Sequence, residues 1–279
     1  MNEYELTVVD SITAEYYHLT NSEKKVADFI LGNKDRVQYM SISELADECG
    51  VAEATVSRFC RRLKLKSYND FKLSMAKAAA GATQDTVAEP VGSELARSLL
   101  NTNIAALTQT LSLLDQKDVD HAVRLLCSAR RVVCMGLGGS MLIANEACHV
   151  FSTATAKFTA IPDNHTQASA AALMGPEDVI LYFSYSGSTR DIQKLIRLAR
   201  SRGAKVVLVT RFIKSPGAKL ADVVLCCGSD EGPLQLGSVA AKFAQLFVID
   251  VLFHEYCQYC PDSYENRMLI ANALADEHL

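Results

Sequence analysis

The sequence predicts an all-α domain in residues 1–79, followed by a doubly wound α/β domain with a parallel five-stranded sheet in residues 93–279. Two observations support this fold class. The first part contains short helical patterns only, whereas the second alternates apolar runs of strand length with helical patterns. Between them, residues 80–92 are small and polar, contain a proline and lose all periodicity, which is typical of an interdomain linker.

The overall composition is that of an ordinary globular protein, with 279 residues, 49% hydrophobic and 22% charged. No apolar run is long enough to cross a bilayer, and the first residues lack a signal-peptide pattern. We therefore expect a cytoplasmic protein that does not bind membranes. The nine cysteines are odd in number and irregularly spaced, which argues against a disulfide framework and favours buried thiols. The sequence does not determine whether Cys257 and Cys260 have a role.

Positive charge is concentrated in one segment of an acidic chain. The formal net charge of −4 argues against a nucleic-acid-binding surface over the whole chain. Residues 58–77, in contrast, hold seven basic side chains and one acid, Asp70, for a net charge of +6. Such a patch indicates one local anionic partner.

The same part of the chain has the spacing of a helix-turn-helix. In the first helix Ser43 is the expected N-cap, Gly50 permits the turn, and Val56, Phe59 and Leu63 recur inward at helical spacing on the next helix. A recognition helix contacts base edges near its N-terminus and phosphates along its flanks. The alternative is a generic helical bundle with a solvated basic face. The predicted DNA-binding residues are Thr55, Ser57, Arg58, Arg61, Arg62, Lys64 and Lys66.

Five apolar runs predict the sheet of the second domain. Because the runs are nearly continuously apolar, they indicate parallel strands covered on both faces. A flavodoxin-like order of 2-1-3-4-5 would make the first and third strands neighbours, with ligands bound at the carboxyl ends of the strands. The predicted strands are residues 131–137, 156–161, 179–184, 205–210 and 223–227.

The segment Ser184-Tyr-Ser-Gly-Ser-Thr189 lies where the third strand turns into a helix. Free backbone N–H groups and the positive end of a helix dipole meet at such a turn. Serine and threonine add hydroxyl donors, and Gly187 lets the backbone approach a ligand closely. We therefore expect a phosphate to bind here, contacted by Ser184, Tyr185, Ser186, Gly187, Ser188 and Thr189. The alternative is that these hydroxyls only cap the helix.

A second glycine-rich turn follows the first strand and contains Gly138, Gly139 and Ser140. It is not a dinucleotide fingerprint, because Met141 occupies the place of the third glycine, and NAD binding is disfavoured. If the first and third strands are neighbours, this turn and the Ser184–Thr189 turn face one crevice. Here too, helix capping by the serine is the alternative.

A polar loop, Ile161–Gln167, is expected at the carboxyl end of the second strand. Asp163, His165 and Gln167 are candidates for hydrogen bonds to sugar hydroxyls, since binding residues are common on loops at this edge. A loop histidine is often incidental, so an unrelated exposed position is the alternative for His165.

Taken together, these motifs resemble the RpiR family of bacterial transcription regulators, which combine an N-terminal helix-turn-helix with a C-terminal sugar-isomerase (SIS) domain. The resemblance implies a regulator that binds operator DNA and a phosphosugar effector and forms homodimers or homotetramers. We expect no other cofactor and no metal. The resemblance also implies that Ser184, Ser186 and Thr189 cradle the phosphate, with Ser140 opposite. The segments that carry it are Leu19–Ile30, Glu44–Ala46, Ala54–Phe59, Tyr68–Phe71, Gly136–Ser140, Ser184–Thr189 and Ala244–Leu252.

Two positions depart from the family pattern. Ala52 stands where the family usually has a serine at the start of the recognition helix, and Ala241-Lys242 replaces a frequent Ser-Arg pair. The alternative function is an aldose/ketose phosphate isomerase, which needs a positioned base. The acidic and histidine candidates do not match an isomerase motif, so we expect no catalysis; they are Glu146, His165, Glu231 and Glu255.

Overall fold

A computed structural model describes residues 8–82, 93–229 and 238–275. The chain divides into two compact units, the first extending to Leu99 and the second beginning at Leu100. Helix formation continues to Ala82, so the start of the predicted 80–92 linker is helical. Residues 83–92 lie outside the described residues, and the linker therefore stays a prediction.

The N-terminal unit is helical, as predicted. A short 3-10 turn at Tyr16–His18 follows the first helix. Buried side chains from all of the helices form one core, with Ile12, Ile30, Val56 and Phe59 fully enclosed. The helices are α1 Val8–Glu15, α2 Asn21–Gly32, α3 Lys34–Val37, α4 Ile42–Glu48, α5 Glu53–Arg62 and α6 Tyr68–Ala82.

Two helices of this unit begin with a reciprocal capping box. The Thr20 hydroxyl accepts from the amide of Glu23 at the start of α2, and Ser41 does the same for α4 with Glu44. The prediction that Ser43 is the N-cap of α4 is wrong, because Ser43 already lies inside the helix. Its hydroxyl instead donates to the Glu53 carboxylate, which joins α4 to the first turn of α5.

The second unit contains the predicted doubly wound sheet. All strand pairs are parallel and the strand order is β2-β1-β3-β4-β5, which confirms the expected order. The strands are β1 Arg131–Gly136, β2 Phe158–Ala160, β3 Asp178–Phe183, β4 Lys205–Thr210 and β5 Val223–Cys226. The helices after α6 are α7 Ser93–Leu113, which crosses the boundary between the two units, α8 Gln116–Ser128, α9 Gly139–Ser152, α10 Asn164–Ala172, α11 Arg190–Ser201, α12 Val239–Tyr259 and α13 Ser263–Ala275.

Both faces of the sheet are covered, which explains why its strands are apolar throughout. Alternate β1 residues contribute to different cores: Val132 packs in the core with α8, α9 and α12, and Val133 packs in the core with α10 and α11. No helix among the described residues is long and apolar enough to span a membrane.

The bonding state of the cysteines is only partly as predicted. Cys127 and Cys260 form a disulfide, so the prediction that the chain lacks such bonds is wrong for this pair. The two residues are 133 positions apart in the sequence, and spacing alone gave no signal of their proximity. Five of the remaining cysteines are buried thiols, as predicted: Cys49, Cys60, Cys134, Cys226 and Cys227.

Candidate functional site

The helix-turn-helix turn is closed by backbone hydrogen bonds around Gly50. This glycine has φ +62°, in the left-handed region that glycine adopts without strain. The next amide, of Val51, donates to the carbonyl of Ala46 over 2.9 Å and ends α4. Helix α5 then starts after Ala52, whose side chain offers no acceptor to the first amides of the helix.

One face of α5 is basic and exposed, as predicted. Ser57 is half-buried, and Arg58 and Arg61 are exposed on the same side of the helix. Thr55, one of the predicted DNA-binding residues, was expected on this outward face; that placement is wrong, since the residue is only 7% exposed. Thr55 lies four residues before Phe59, and i and i+4 positions share one face of a helix. The Thr55 side chain therefore belongs to the buried side of α5.

Arg62 is engaged within the domain. Its guanidinium lies 3.4 Å from the Glu23 carboxylate and donates to the carbonyl of His18 over 3.0 Å. Burial raises the pKa of Glu23, but hydrogen bonds from Thr20 and the charge of Arg62 outweigh burial and leave this pKa below its usual value. Arg62 thus ties the recognition helix α5 to the start of α2.

The segment after α5 adds exposed positive charge in a fixed turn. Lys64 has φ +63°, and the amide of Leu65 donates to the carbonyl of Cys60 over 3.0 Å, as in a Schellman motif. A non-glycine residue in this region is strained by roughly 1 kcal/mol. Lys64 and Lys66 are both exposed and lie beyond the helix end, next to the basic face.

In the second unit the two predicted turns leave neighbouring strands. Gly136 at the end of β1 pairs with Phe183 at the end of β3. Adjacent strands lie about 4.8 Å apart, so the glycine turn and the Ser184–Thr189 turn start side by side at the carboxyl edge. This adjacency is the arrangement that the predicted crevice requires.

Hydrogen bonds within the Ser184–Thr189 turn leave hydroxyl donors available. The hydroxyl oxygen of Ser184 accepts from the amide of Gly187 over 3.1 Å, and that of Ser186 accepts from the amide of Ser188 over 3.3 Å. Each hydroxyl keeps its proton for a ligand oxygen. In contrast, the Ser188 hydroxyl donates to the Ser186 carbonyl over 2.8 Å. Thr189 is exposed, lies immediately before α11 and makes no capping bond with its side chain.

Gly187 is required by both conformation and space. Its φ is +58°, and a Cβ at this position would lie 2.8 Å from the Cβ of Ser215. The Gly187 carbonyl also accepts from the amide of Gly217 over 2.8 Å. The chain after β4 therefore packs directly on the turn and fixes its shape.

The glycine turn has a cation beside it. Gly138 and Gly139 are exposed, and Ser140 is half-buried in the first turn of α9. The Cε of Lys242, from the first turns of α12, lies 3.8 Å from where a Cβ on Gly139 would be. The departure from the family pattern at Ala241-Lys242 had indicated that this region lines the pocket. The structure brings its positive charge to the glycine turn.

The predicted loop Ile161–Gln167, called the β2 loop below, has mixed roles. The prediction that it is a loop throughout is wrong, because α10 begins at Asn164. Asp163 caps α10, because its carboxylate accepts from the amide of Thr166 over 2.8 Å, and this hydrogen bond lowers its pKa. His165 is exposed. Gln167 is fully buried, and its amide donates to the carbonyls of Gly136 and Ile161. Its expected contact with a sugar is therefore wrong: Gln167 supports the end of β1 instead.

Asn164 and Asp191 were missed by sequence reasoning. The Asn164 side-chain amide donates to the Asp191 carboxylate over 3.3 Å, which places the β2 loop against the first turn of α11. An acidic residue in the first turn interacts favourably with the positive end of the helix dipole, but it would also repel an anion bound there. Asn164 holds this carboxylate at the rim.

Tyr185 connects the turn to the rest of the domain. Its hydroxyl donates to the carbonyl of Ser229 over 2.7 Å. The amide of Ser229 in turn donates to the Gln109 side chain on α7 over 2.8 Å. A chain of hydrogen bonds therefore runs from the candidate phosphate turn to α7. Nothing in the local sequence pattern signalled this connection.

The candidate isomerase bases that the structure describes do not gather at the crevice. Glu255 accepts from Gln116 at the start of α8 and lies thirteen residues beyond Lys242 on α12, about 20 Å along the helix. Glu146 is exposed on α9, two turns after Gly139. Glu231 lies outside the described residues. Of the candidates in the described part of the chain, His165 alone lies near the carboxyl edge of the sheet, in the first turn of α10.

The first unit is a helical domain with an exposed basic α5, and the second is a parallel α/β domain with two polar turns at its carboxyl edge. This combination defines a helix-turn-helix protein with a SIS domain. Residues 6–82 match the helix-turn-helix domain of the rpiR family, and residues 125–255 match the SIS domain. The chain belongs to the rpiR family of HTH-type transcriptional regulators.

Full-length relatives support the same assignment. An HTH-type transcriptional regulator of Haemophilus influenzae is 34% identical over 256 residues, 88% of each chain. The regulator HexR of Pseudomonas aeruginosa is 34% identical over 250 residues, 88% of this chain and 87% of HexR. Among solved structures, Vibrio vulnificus NanR complexed with ManNAc-6P aligns with a TM-score of 0.86 at 25% identity, over 96% of this chain and 98% of NanR.

Proposed function

We propose that this protein is a bacterial transcription regulator whose affinity for operator DNA is controlled by a phosphosugar bound at the carboxyl edge of its SIS domain. The single observation that carries the proposal is the grouping of anion-binding features on neighbouring strands. The hydroxyls of Ser184, Ser186 and Thr189 stand before α11, and the adjacent glycine turn has Lys242 beside it. Hydroxyls, helix amides and an ammonium group are suited to a phosphate.

The sugar part of the ligand is assigned to the β2 loop and the start of α12. Asp163 and His165 are exposed at the same edge, and Lys242 approaches the glycine turn. The structural neighbour NanR binds ManNAc-6P, which supports a phosphorylated sugar as the ligand class here. The hydroxyls select phosphate, and the β2 loop with Lys242 distinguishes one sugar from another.

DNA binding is assigned to α5 and the segment after it. Ser57, Arg58 and Arg61 lie on its accessible face, and Lys64 and Lys66 continue the positive surface. The arginine and lysine side chains neutralise phosphates, and Arg58 lies near enough to the helix start to reach a base edge. Arg62, held by Glu23, positions α5. A homodimer or homotetramer would present paired recognition helices to a palindromic operator.

The hydrogen-bond chain through Tyr185 gives the ligand a route to the DNA-binding part. A phosphate that orders the Ser184–Thr189 turn also fixes Tyr185, Ser229 and Gln109, and Gln109 lies on α7, the helix that follows the linker. A ligand shifts an equilibrium only by binding its two states unequally. The two states differ in whether the turn, and with it α7, is ordered.

The test uses operator fragments selected from random duplex DNA with the full-length protein. Binding is then titrated with ManNAc-6P and other sugar phosphates, and each is paired with its unphosphorylated sugar as the matched control. A phosphorylated sugar should change the affinity for DNA, and its unphosphorylated partner should not. If every sugar phosphate leaves the affinity unchanged, the proposed control of DNA binding is wrong.

The protein is proposed to act without catalysis. An isomerase would need a base at the reacting carbons, and the acidic candidates lie elsewhere in the domain or outside the described residues. Incubating the purified protein with aldose and ketose phosphates and following their interconversion tests this point. Turnover that is abolished by His165→Gln would replace the regulator assignment of this site with an isomerase.

A further inference from the structure

We propose that Cys127 and Cys260 are a reversible redox pair that fastens the end of α12 to α8 and thereby tunes the ligand site at the other end of α12. Cys127 lies in the last turn of α8, and Cys260 immediately follows α12. Their Cα atoms are 5.9 Å apart, within the range of about 4.4–6.8 Å that a disulfide spans without backbone movement.

The surroundings of the pair suit reaction with an oxidant. Cys127 is half-buried, so a small molecule reaches it, whereas Cys260 is only 6% exposed. The ammonium group of Lys157 donates to the carbonyl of Cys127 over 2.6 Å, which places a positive charge beside the end of α8. By comparison, burial raises the pKa of the Cys227 thiol to about 12 and makes it unreactive. Cys127 is therefore the thiol that meets the oxidant.

The oxidant class is a peroxide. The Cys127 thiolate attacks one oxygen of hydrogen peroxide, the O–O bond breaks, and the products are a sulfenic acid and, after protonation, water. The sulfur of Cys260 then attacks the sulfenic sulfur, the S–O bond breaks, and a second water leaves as the disulfide forms. Two thiols are oxidised and one peroxide is reduced to two waters. A dithiol reductant reverses the reaction by thiol–disulfide exchange.

The pair acts on the ligand site through α12. This helix packs against α8 and α9, carries Lys242 at its beginning and ends next to Cys260. The disulfide closes a loop that contains the whole sheet and restrains the end of α12, so Lys242 is held beside the glycine turn in the oxidised form. The effect on ligand binding rests on the proposed function, whereas the disulfide itself does not.

The experiment compares full-length protein treated with hydrogen peroxide and with dithiothreitol. Mass spectrometry of digests should find a peptide that links Cys127 to Cys260 after peroxide only. The oxidised protein should melt roughly 5–15 °C higher than the reduced protein, because the cross-link restricts the unfolded chain. Cys127→Ser and Cys260→Ala should each abolish both effects. Cys148→Ser, a half-buried thiol of the same domain, is the matched control and should keep both.

Several results would overturn the proposal: no linked peptide, a link between other cysteines, or a redox-dependent melting shift that persists in Cys127→Ser. The ligand effect is measured with inorganic phosphate, which should bind roughly two- to tenfold more tightly to the oxidised form. Equal affinity in both forms would show that the pair does not tune the site. Absence of phosphate binding in both forms would overturn the proposed function, and the mass spectrum alone would then decide whether the redox pair exists.

Discussion

The guanidinium of Arg62 lies 3.4 Å from the carboxylate of Glu23, although the two residues are 39 positions apart. Glu23 also completes the capping box at the start of α2. One carboxylate thus stabilises a helix start and holds the last turn of the recognition helix. The ion pair with Glu23 distinguishes Arg62 from the exposed Arg58 and Arg61.

Arg58 and Arg62 should differ in their effect on DNA binding. Arg58→Ala removes an exposed charge, so the dependence of log K on log salt for duplex DNA should weaken by about one unit. Arg62→Ala should change this slope less and should instead increase hydrogen exchange in α2 and α5. Salt titrations of the two variants measure the difference. Arg124→Ala, which removes an exposed arginine of α8, is the control. A larger slope change for Arg62→Ala than for Arg58→Ala would contradict the assigned roles.

The N-terminal unit should lose stability in mild acid. The pKa of Glu23 is lower in the folded chain than its ordinary value of 4.5, so this contribution is fully present above pH 4.5 and is lost as the pH falls through the folded pKa. Hydrogen exchange of α2 amides, corrected for intrinsic rates, should accelerate over this range. The variant Glu23→Gln should show a smaller pH dependence. An unchanged pH profile would mean that the ion pair does not contribute to stability.

Loss of one hydroxyl or of the cation should weaken phosphate binding without unfolding the domain. Ser186→Ala removes a charge-assisted hydrogen bond, expected to reduce affinity roughly 10-fold. Lys242→Gln should give a similar loss that shrinks at high salt. Calorimetric titration with inorganic phosphate measures both. Ser188→Ala is the matched control, because the Ser188 hydroxyl already donates to the Ser186 carbonyl. If Ser188→Ala lost as much phosphate affinity as Ser186→Ala, the assignment of Ser186 as a phosphate ligand would be refuted.

Gly187→Ala should disrupt the turn. The added Cβ meets Ser215 and Thr210, and the positive φ is strained for alanine, so a destabilisation of about 1–3 kcal/mol is expected with loss of phosphate binding. Gly175→Ala meets open space and should be tolerated. Chemical denaturation of the two variants tests the difference. Equal stability of both would show that the turn relaxes around the new methyl group.

Tyr185→Phe should separate ligand binding from its effect on DNA. The substitution removes the hydrogen bond to Ser229 but keeps the ring beside Phe212. Phosphosugar and DNA should each bind nearly as in the wild type, while the change in DNA affinity caused by the ligand should shrink. Titrations of DNA with and without the ligand measure this coupling. Full coupling in the variant would exclude the route through Ser229 and Gln109.

The sequence determined the fold and the two turns. Strands buried on both faces are apolar throughout, and a polar turn between such a strand and a helix is a local pattern, so both are visible in neighbouring residues. The predicted adjacency of the two turns followed from the expected order of the sheet, and the pairing of Gly136 with Phe183 confirms it.

Only the tertiary structure decided which side chains are available for contacts. Thr55 is buried by its helical relation to Phe59, Gln167 is used to support β1, and Lys242 reaches a turn more than a hundred residues earlier in the chain. The disulfide between Cys127 and Cys260 is also invisible in local spacing. The physical reason is the same in each case. The hydrophobic periodicity of the sequence indicates which side of a helix or strand faces the core. Contacts between distant residues depend instead on how whole helices and strands pack.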